Sequence, residues 1–329
     1  MNRPIRAVIN GTGMAVPELI ITNSDLERLV DTSDQWIVSR TGIRERRKLE
    51  SGFSSVDLAE KAALEALERA SILPADLDMI IVATVTPDYP TPSTSCLLQA
   101  RLNAYKASAM EVSAGCSGCV YALGVGSQFI GSGSCKNILV IGVEVLTRVT
   151  DWNDRGTCVL FGDGAGAVVL QPTIEDRGIL KVSLNADGRG AELLLIPAGG
   201  SMIPASPQSL HDRLHYIKMN GSEIFKFAVR VVEETLEELL GEADLKAEDL
   251  DYLFLHQANL RIIEHIRRRL KLPPEKVPVN IDRFGNMSSA TIPVAIHEEI
   301  VAGHLKEGDL LAMVAFGAGL TWGGITMKW

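Results

Sequence analysis

Residues 110–130 read MEVSAGCSGCVYALGVGSQFI, a sequence typical of a strand followed by a sharp turn and a helix. Small residues surround Cys116 at the turn, and apolar residues recur at helical spacing from Cys119 onward. A cysteine at the start of a helix has its thiolate stabilised by the helix dipole and by unpaired N–H groups. The same N–H groups can bind an oxyanion in front of the sulfur. The stretch therefore predicts an α/β fold with Cys116 as the nucleophile of an acyl transfer, although a lone cysteine is more often a buried structural residue.

An internal repeat predicts the architecture of the rest of the chain. Residues 55–82 are typical of an amphipathic helix, an Asp-Leu-Asp triplet at 76–78 and a strand. Residues 224–255 repeat this plan, with the triplet at 249–251. Two copies of a unit in which strands and helices alternate indicate a duplicated fold with mixed, mainly parallel sheets covered by helices.

The active-site turns follow the same repeat, because Cys116 in the first copy corresponds to Asn286 in the second. Residues 171–177 contain a proline and three charged residues, which is typical of a junction between two halves. We therefore expect an N-terminal half at 1–174 that carries the nucleophilic cysteine. The C-terminal half at 175–329 would carry a catalytic histidine and Asn286.

The composition of the chain is typical of a globular enzyme of the cytoplasm. Apolar residues make up 46% of the 329 residues and charged residues 22%, and the net charge of −9 argues against a general nucleic-acid binder. No apolar run reaches the roughly 18 residues that cross a bilayer, and the N-terminus does not resemble a signal peptide. The five cysteines lack the spacing of a disulfide framework. Cys116 and Cys119 form a C-x-x-C pair, but no second pair completes a metal site, so we expect no bound metal.

Two polar motifs follow apolar runs later in the chain. His256 lies in LHQAN at 255–259, and Asn286 lies in FGNMSS at 284–289. Because each motif comes directly after an apolar run, we expect both on loops at strand ends, where a scaffold aims side chains into a cleft. A thiol nucleophile beside such hydrogen-bonding side chains is suited to acyl transfer.

The residues Cys116, His256 and Asn286 match the catalytic triad of the β-ketoacyl-acyl-carrier-protein synthase III family, which the chain resembles nearly from end to end. The shared motifs, in the family's order, are TSDQWIVSRTGIRERR, NDRGTCVLFGDGAGAVVL, MNGSEIFKFAV, HQANLRII, GNMSSAT and AFGAGLTWGG. The resemblance implies the thiolase fold, with five alternating α-β-α-β-α layers and catalytic loops that meet between the two halves. Asn286 separates the chain from elongating synthases, which have a second histidine there, and from thiolases, which have a second cysteine.

The resemblance also implies the reaction. An acyl-CoA primer would acylate Cys116, and the backbone N–H groups of Cys116 and Ala318 would form the oxyanion hole. Malonyl-acyl carrier protein would lose CO₂, and its enolate, stabilised by His256 Nε2–H and the Asn286 amide, would attack the acyl group to start fatty acid synthesis. No cofactor is implied, because acyl-CoA is a substrate. A starter-unit synthase or acyltransferase of a polyketide-type pathway is the alternative, and the intact triad disfavours a non-catalytic subunit.

The residues that bind coenzyme A and the carrier protein follow from the resemblance as well. Trp36 and Arg155 would stack on the two faces of adenine. The other CoA contacts would be Arg40 and Thr41 near the phosphates, and Gly221, Phe225, Ala258 and Asn259 along the pantetheine tunnel. A basic cluster on an acidic chain fits docking of the acidic acyl carrier protein, at Lys226, Arg261, Arg268 and Arg269.

The acyl pocket is implied at Thr91 and Phe316. Thr91 stands where some members of the family have a phenylalanine that reaches across a homodimer to cap the other subunit's pocket. The missing ring leaves space, and each additional buried methylene of a primer contributes about 0.8 kcal/mol. We therefore expect a homodimer that accepts primers longer or more branched than acetyl, of about four to eight carbons, unless Tyr89 or Leu320 fills the space.

Overall fold

The computed structural model of the protein describes residues 4–241 and 245–329. The N-terminal part contains β1 (Arg6–Ala15), β2 (Ile20–Thr22), α1 (Asn23–Glu27), α2 (Asp34–Thr41), β3 (Glu45–Arg47), α3 (Ser55–Ala70), β4 (Met79–Ala83), α4 (Thr94–Arg101), β5 (Ser108–Val112), α5 (Gly118–Gly131), β6 (Ile138–Val145), α6 (Arg155–Cys158) and β7 (Asp163–Thr173). The C-terminal part contains β8 (Gly178–Ala186), β9 (Leu194–Leu195), α7 (Pro207–His211), β10 (Lys218–Met219), α8 (Gly221–Gly241), β11 (Tyr252–Leu255), α9 (Leu260–Arg269), α10 (Ile281–Phe284), α11 (Thr291–Val301), β12 (Leu310–Gly317) and β13 (Thr321–Lys328).

Two large sheets confirm the predicted duplication. One has the strand order β1-β7-β6-β4-β5, and the other has the order β11-β12-β13-β8. In each sheet a parallel pair, β4–β6 or β11–β12, is extended by two antiparallel strands, β7 and β1 or β13 and β8. The second sheet has no counterpart of β5, because segment 277–280 is not a strand. Pro278 in this segment has no N–H to donate to a neighbouring strand.

The sheets are mixed as expected, but the expectation that they are mainly parallel was wrong. Four of the seven pairings in the two sheets are antiparallel. A parallel pairing needs a crossover connection, usually a helix that covers the sheet. Residues 146–162, between β6 and β7, carry only the short helix α6 and a 3-10 turn, so β7 returns antiparallel beside β6.

The helices form three layers around these sheets. α3 packs on the outer face of the five-stranded sheet, and α8 packs on the outer face of the four-stranded sheet. α5 and α11 lie between the two sheets and contact both. The five layers predicted from the resemblance are therefore present. Within the described part of the chain, no helix combines the length and apolar composition needed to cross a membrane.

Local sequence explains where α3 forms and which face it buries. Ser54 and Asp57 form a capping box at its N-terminus, where Ser54 N donates to Asp57 Oδ2 at 2.6 Å. Ala59, Ala63 and Leu67 are buried at helical spacing against the sheet.

The central helix α5 needs small residues because it is packed on two sides. A Cβ on Gly124 would lie 2.8 Å from Val182 Cγ1 of the second sheet. A Cβ on Gly126 would lie 3.0 Å from Leu170 Cδ1 of the first sheet. Larger side chains would therefore separate the sheets and displace the turn before α5, which carries Cys116.

Two long connections cover the ends of the strands where the active-site turns lie. One joins β6 to β7, and the other runs from β8 to α8. Arg213 Nε donates to Asp151 Oδ2 at 2.9 Å, and Ile217 N donates to Val149 O at 2.8 Å, so the two connections are bound to each other. Together they form a wall over Cys116.

Candidate active site

Cys116 lies in a 3-10 turn (Gly115–Ser117) directly before α5, as predicted. Gly115 has φ of +54°, and a Cβ there would lie 2.7 Å from Ala318 N. A Cβ on Gly317 would lie 2.4 Å from Cys116 N. The two glycines therefore allow the turn and the end of β12 to touch, which brings the backbone N–H groups of Cys116 and Ala318 to one place. This close approach suits an oxyanion hole.

The pKa of Cys116 differs from the prediction. Burial raises the pKa of the thiol to about 12, a hydrogen bond with the Ser288 hydroxyl lowers it, and the nearby charge of Glu144 raises it. The position before a helix predicted a stabilised thiolate, but the resting group is a neutral thiol, because desolvation outweighs the local dipole. The nucleophile must therefore lose its proton as it attacks.

His256 is buried at the end of β11, where its N donates to Val314 O at 3.0 Å. Its Nδ1 lies 2.8 Å from Thr291 Oγ1, which is also 2.8 Å from Ser288 O. When the single hydroxyl proton is donated to Ser288 O, the imidazole hydrogen is on Nδ1; when it is donated to Nδ1, the hydrogen is on Nε2. Burial lowers the pKa of His256 to about 3, so both forms are neutral.

Asn286 is held by its backbone and by its side-chain oxygen. Its N donates to Leu160 O at 2.9 Å, and its O accepts from Gly162 N at 3.0 Å. Its Oδ1 accepts a hydrogen bond from Ser288 N at 2.8 Å. Because the oxygen is turned toward its own loop, the Nδ2 amide group is left to donate into the site.

A narrow cavity of about 120 Å³ brings the three predicted catalytic residues together. Its wall includes the triad and the four residues predicted along the pantetheine tunnel: Gly221, Phe225, Ala258 and Asn259. Asn259 also caps α9, where its Oδ1 accepts from Arg261 N at 2.8 Å, and it donates to Arg40 O at 3.1 Å. We call this cavity the tunnel.

A second, almost entirely apolar cavity of about 190 Å³ begins on the other side of Cys116. Its wall includes Leu146, Phe161, Leu195, Ile196 and Ile217. We call it the acyl cavity.

Of the two residues predicted for the acyl pocket, Phe316 lies elsewhere, and Thr91, which was predicted to reach the other subunit's pocket, is outside the cavity of its own chain. Phe316 lines the tunnel and packs edge-on against His256, with ring centroids 5.5 Å apart. Thr91 is exposed on the loop before α4 and does not line the acyl cavity of its own chain. Neither Tyr89, which is 56% exposed, nor Leu320, which packs in the core against Gly190, lines that cavity.

The predicted adenine site is closed by its own side chains. The Arg155 guanidinium lies over the Trp36 ring, 4.1 Å from its centroid. Arg40 is exposed one turn further along α2. Thr41 is turned into the protein, contrary to its predicted place near the phosphates. Thr41 is the last residue of α2, and its buried hydroxyl donates to Ile37 O, one turn earlier in the same helix, at 2.7 Å.

The predicted docking residues lie beside the tunnel entrance. A groove of about 650 Å³ is lined by Arg261, Arg268 and Arg269, among other residues. Lys226 is exposed on α8. The groove is less positive than expected, because carboxylates pair with several of these side chains: Glu264 with Arg268 at 3.3 Å, Glu233 with Arg269 at 2.8 Å, and Glu223 with Lys226 at 2.8 Å.

Three residues of the site are absent from the sequence predictions. Ser288 and Thr291 lie within GNMSSAT, so the motif contained them without indicating their roles. Glu144 carries a weaker signal, a single acidic residue in the apolar run of β6. Within residues 4–241 and 245–329, no group of three or more His, Cys, Asp or Glu side chains is arranged to hold a metal ion.

Comparison with known proteins agrees with this geometry. The family model described as 3-oxoacyl-acyl-carrier-protein synthase III matches residues 110–188, and the model of its C-terminal part matches residues 240–329. The chain is 53% identical over 321 residues to β-ketoacyl-acyl-carrier-protein synthase III of Symbiobacterium thermophilum, covering 98% of this chain and 97% of the relative. The crystal structure of the Aquifex aeolicus synthase III is similar with a TM-score of 0.91 at 46% identity, covering 98% and 100% of the two chains. The crystal structure of the priming β-ketosynthase of the R1128 polyketide pathway is also similar with a TM-score of 0.91, but at 32% identity, covering 100% of this chain and 97% of that one.

Proposed function

Because the chain belongs to the β-ketoacyl-acyl-carrier-protein synthase III family, we propose that it condenses an acyl-CoA primer with malonyl-acyl carrier protein. The products are 3-oxoacyl-acyl carrier protein, CoA and CO₂, and the reaction starts fatty acid synthesis. The observation that supports this best is that Cys116, His256 and Asn286 line one tunnel, while an apolar cavity begins behind the sulfur. A thioester can therefore approach through the tunnel while its acyl chain is stored in the acyl cavity.

In the first half-reaction, the Cys116 sulfur attacks the thioester carbonyl of acyl-CoA. The N–H groups of Cys116 and Ala318 bind the oxygen as it becomes negative, and one such donor contributes about 10²–10³-fold to the rate. CoA leaves, and the acyl group moves into the acyl cavity. Burial there stabilises it by about 0.8 kcal/mol per methylene group.

In the second half-reaction, the malonyl thioester loses CO₂ and becomes an enolate, so the site must supply hydrogen-bond donors rather than a base. Asn286 Nδ2 donates because its Oδ1 is bound by Ser288 N. His256 donates from Nε2 when Thr291 donates to Nδ1. Both donors are neutral. A cationic donor would bind the malonyl carboxylate and oppose the loss of CO₂, and these two donors do not. The enolate carbon then attacks the acyl group on Cys116.

The proposed path of coenzyme A begins at Trp36 and Arg155. These planar groups are stacked on each other, so adenine enters only when Arg155 moves away and then re-stacks on the other face of the base. Arg40 lies close enough along α2 to approach the phosphates. The pantetheine arm then follows the tunnel past Phe225 and Asn259 to Cys116.

The malonyl group is delivered by acyl carrier protein at the groove beside the tunnel, in this proposal. Arg261 is exposed at the N-terminus of α9 and lies over the Phe225 ring at 5.6 Å, so it stands between the groove and the tunnel. Arg268, Arg269 and Lys226 extend the basic surface and exchange their carboxylate partners for those of the acidic carrier.

The active form we propose is a cytoplasmic homodimer. β5 is an edge strand, and four of its five side chains are only half buried. An edge strand with a mainly apolar sequence pairs readily with a second copy. Thr91, on the loop between β4 and α4, would then lie near the other subunit's acyl cavity, although it is outside its own.

Each subunit has two proposed halves, with the boundary between residues 174 and 175. β7 ends at Thr173, and β8 begins at Gly178 in the other sheet. The reaction needs no cofactor, because the thioester activates the acyl group and loss of CO₂ generates the carbanion.

A starter-unit enzyme of a polyketide-type pathway is the second candidate. The identity of 53% to a synthase III, against 32% to the priming β-ketosynthase, favours the first. The test is to supply an acyl-CoA panel with malonyl-acyl carrier protein and to follow 3-oxoacyl-acyl carrier protein by mass spectrometry. An enzyme that is acylated on Cys116 but transfers the acyl group to another acceptor, with no malonyl-dependent product, would support the second candidate instead.

A further inference from the structure

Glu144 is a fully buried carboxyl group that the steps above do not use. It lies near the end of β6, beside the turn that carries Asn286. Its hydrogen-bond donors are hydroxyl and backbone N–H groups: Thr84 Oγ1 (3.4 Å), Val85 N (3.1 Å) and Thr86 Oγ1 (2.8 Å) at Oε2, and Ser288 Oγ (3.0 Å) and Ser289 Oγ (2.9 Å) at Oε1. Burial raises the pKa of Glu144 to about 7 despite these donors. The carboxyl group can therefore exist in either protonation state near neutral pH.

Ser288 links this carboxyl group to the nucleophile. Its φ of +45° is unusual for a residue other than glycine, and the strained turn holds its hydroxyl against Glu144. It lines the acyl cavity beside Cys116. Burial raises the pKa of the Cys116 thiol, whereas the hydrogen bond with the Ser288 hydroxyl lowers it. Ser288 thus lies beside Cys116 in the wall of the acyl cavity and donates to the carboxyl group of Glu144.

The single hydroxyl proton of Ser288 has two competing acceptors. While Glu144 is ionised, Ser288 donates to it and presents a lone pair to the thiol of Cys116. If the thiol proton moves to Ser288 as Ser288 gives its own proton to Glu144, the buried cluster keeps one negative charge. Loss of the thiol proton to solvent would instead leave two negative charges in one buried region, which is strongly disfavoured.

We propose that the Cys116 proton passes through Ser288 to Glu144 when the acyl-enzyme forms, and returns by the same path when condensation releases the cysteine. In this proposal Ser288 is a catalytic residue, because it takes the proton of the reacting sulfur, and Glu144 is a positioning residue that acts through it. The inference rests on the proposed function, since it says where the Cys116 proton goes in each of the two half-reactions.

The bonds and protons balance in both directions. In acylation, the S–H bond breaks, Ser288 gains that proton and gives its own to Glu144 Oε1, a C–S bond forms to Cys116, and the CoA thiolate leaves and takes a proton from solvent. In condensation, the enolate carbon attacks the acyl carbon and the C–S bond to Cys116 breaks. The sulfur then takes the proton of Ser288, which recovers one from Glu144. One solvent proton is consumed for each CO₂ lost from the malonyl carboxylate.

His256 lines the tunnel together with Cys116 and is a second candidate proton acceptor. Burial lowers its pKa to about 3, whereas burial raises that of Glu144 to about 7. A protonated His256 would be a buried cation, while a protonated Glu144 is a neutral acid. Glu144 is therefore the better proton acceptor, which leaves His256 neutral for the second half-reaction.

The experiment measures two properties of Cys116 in the wild-type protein, Glu144→Gln and Ser288→Ala. The first is the pH dependence of alkylation by iodoacetamide, which reports the thiolate. The second is the single-turnover rate of acylation by acyl-CoA. The groups around Glu144 and Ser288 are the hydroxyl and N–H groups of residues 84–86 and 288–289. The titratable neighbours beyond them are Cys116 and His256, so the pH profile of alkylation reports Cys116 and these neighbours.

We expect Glu144→Gln to shift the alkylation midpoint down by about one pH unit or more, because the charge that raises the thiol pKa is removed. We expect its acylation to slow by about 10²-fold, because the proton acceptor is lost. More thiolate together with slower acylation is an outcome that a structural defect does not produce. Ser288→Ala should slow acylation to a similar extent, and the double variant should be no slower than either single one.

Asp163→Asn is the matched control. Asp163 is another buried carboxyl group that accepts hydrogen bonds from backbone N–H groups and a threonine hydroxyl, at the start of β7. In the Asp163→Asn variant, the pH midpoint for alkylation of Cys116 should stay at the wild-type value. Acylation at the wild-type rate in both Glu144→Gln and Ser288→Ala would overturn the relay. A parallel fall of the alkylation and acylation rates, with no downward shift of the pH midpoint for alkylation, would overturn it as well. A wild-type protein that acyl-CoA does not acylate would instead overturn the proposed function itself.

Discussion

The guanidinium of Arg155 lies 4.1 Å from the centroid of the Trp36 ring, so the two groups that would bind adenine are in contact with each other. A base held between them needs about 3.5 Å on each face, so the guanidinium and the ring must move apart by nearly the thickness of one ring. The energy of this contact is therefore lost when CoA binds, and adenine must replace it on both faces.

Replacing Trp36 with alanine should raise the KM for acyl-CoA by about tenfold with little change in kcat. Stacking of one base on an aromatic side chain contributes about 1–3 kcal/mol, and part of this is offset by the lost contact with Arg155. Steady-state kinetics with acyl-CoA and with acyl-pantetheine, which has no adenine, would check this. An equal rise for both substrates would mean that Trp36 does not bind the base.

Cys116→Ser should abolish acylation, because a hydroxyl group at its ordinary pKa is a much weaker nucleophile than the thiol. Intact-protein mass spectrometry after treatment with acyl-CoA measures the added acyl mass. Cys119→Ser is the control, because Cys119 is buried in α5 and should not react. An acyl label on Cys119 or any other cysteine would contradict the assignment.

Asn286→Ala should keep substantial acylation and lose at least about 10²-fold in malonyl decarboxylation, because one enolate donor is removed. His256→Ala should act in the same way. Release of labelled CO₂ from malonyl-acyl carrier protein measures the second step, and the acyl mass on Cys116 measures the first. Undiminished CO₂ release by both variants would show that the enolate is stabilised elsewhere.

Ile217→Phe should restrict the primer, because Ile217 is buried in the wall of the acyl cavity. Specificity changes of about 1–3 kcal/mol per methylene predict at least a tenfold fall in kcat/KM for isobutyryl- and octanoyl-CoA relative to acetyl-CoA. Thr91→Phe should have a similar effect only in a homodimer, since Thr91 is outside the cavity of its own chain. A wild-type enzyme with a strong acetyl preference that Thr91→Phe leaves unchanged would reject the predicted broad primer range.

Arg261→Glu should raise the KM for malonyl-acyl carrier protein by tenfold or more while acylation by acyl-CoA changes little, because the charge lies at the groove. Arg177→Glu is the control. Arg177 lies between β7 and β8, at the end of β7 opposite Asp163, and so at the far edge of the sheet from the active site. Equal effects of Arg261→Glu on both half-reactions would argue against docking at this groove.

The turn around Cys116 and the repeat could be predicted because their signals are local, whereas the proposed triad was implied by the family resemblance. The small residues around Cys116 specify a turn between a strand and a helix, and the repeated Asp-Leu-Asp triplets mark the same strand start in each half. The motifs around His256 and Asn286 placed both residues at loops after apolar segments. The structure brings all three into one tunnel.

The misplaced residues depend on contacts between distant segments. Thr41 is next to the exposed Arg40 in the chain, yet it is buried because the helix turns it inward. Phe316 was expected in the acyl pocket and instead packs against His256, because β12 runs parallel beside β11, which ends just before His256. The direction of β7 also depends on pairing with β1 and β6, which local spacing does not encode.

The sequence alone predicted the duplicated architecture and the turn around Cys116, since turn residues and apolar spacing act over a few neighbouring positions, while the family resemblance implied His256 and Asn286 as its partners. Only the tertiary structure decided the protonation of the site. The neutral thiol of Cys116 and the raised pKa of the Glu144 carboxyl group both result from desolvation, which depends on how completely the folded halves exclude water. Glu144 and Ser288 are 144 residues apart in the chain, and they become partners only where β6 meets the turn before α11.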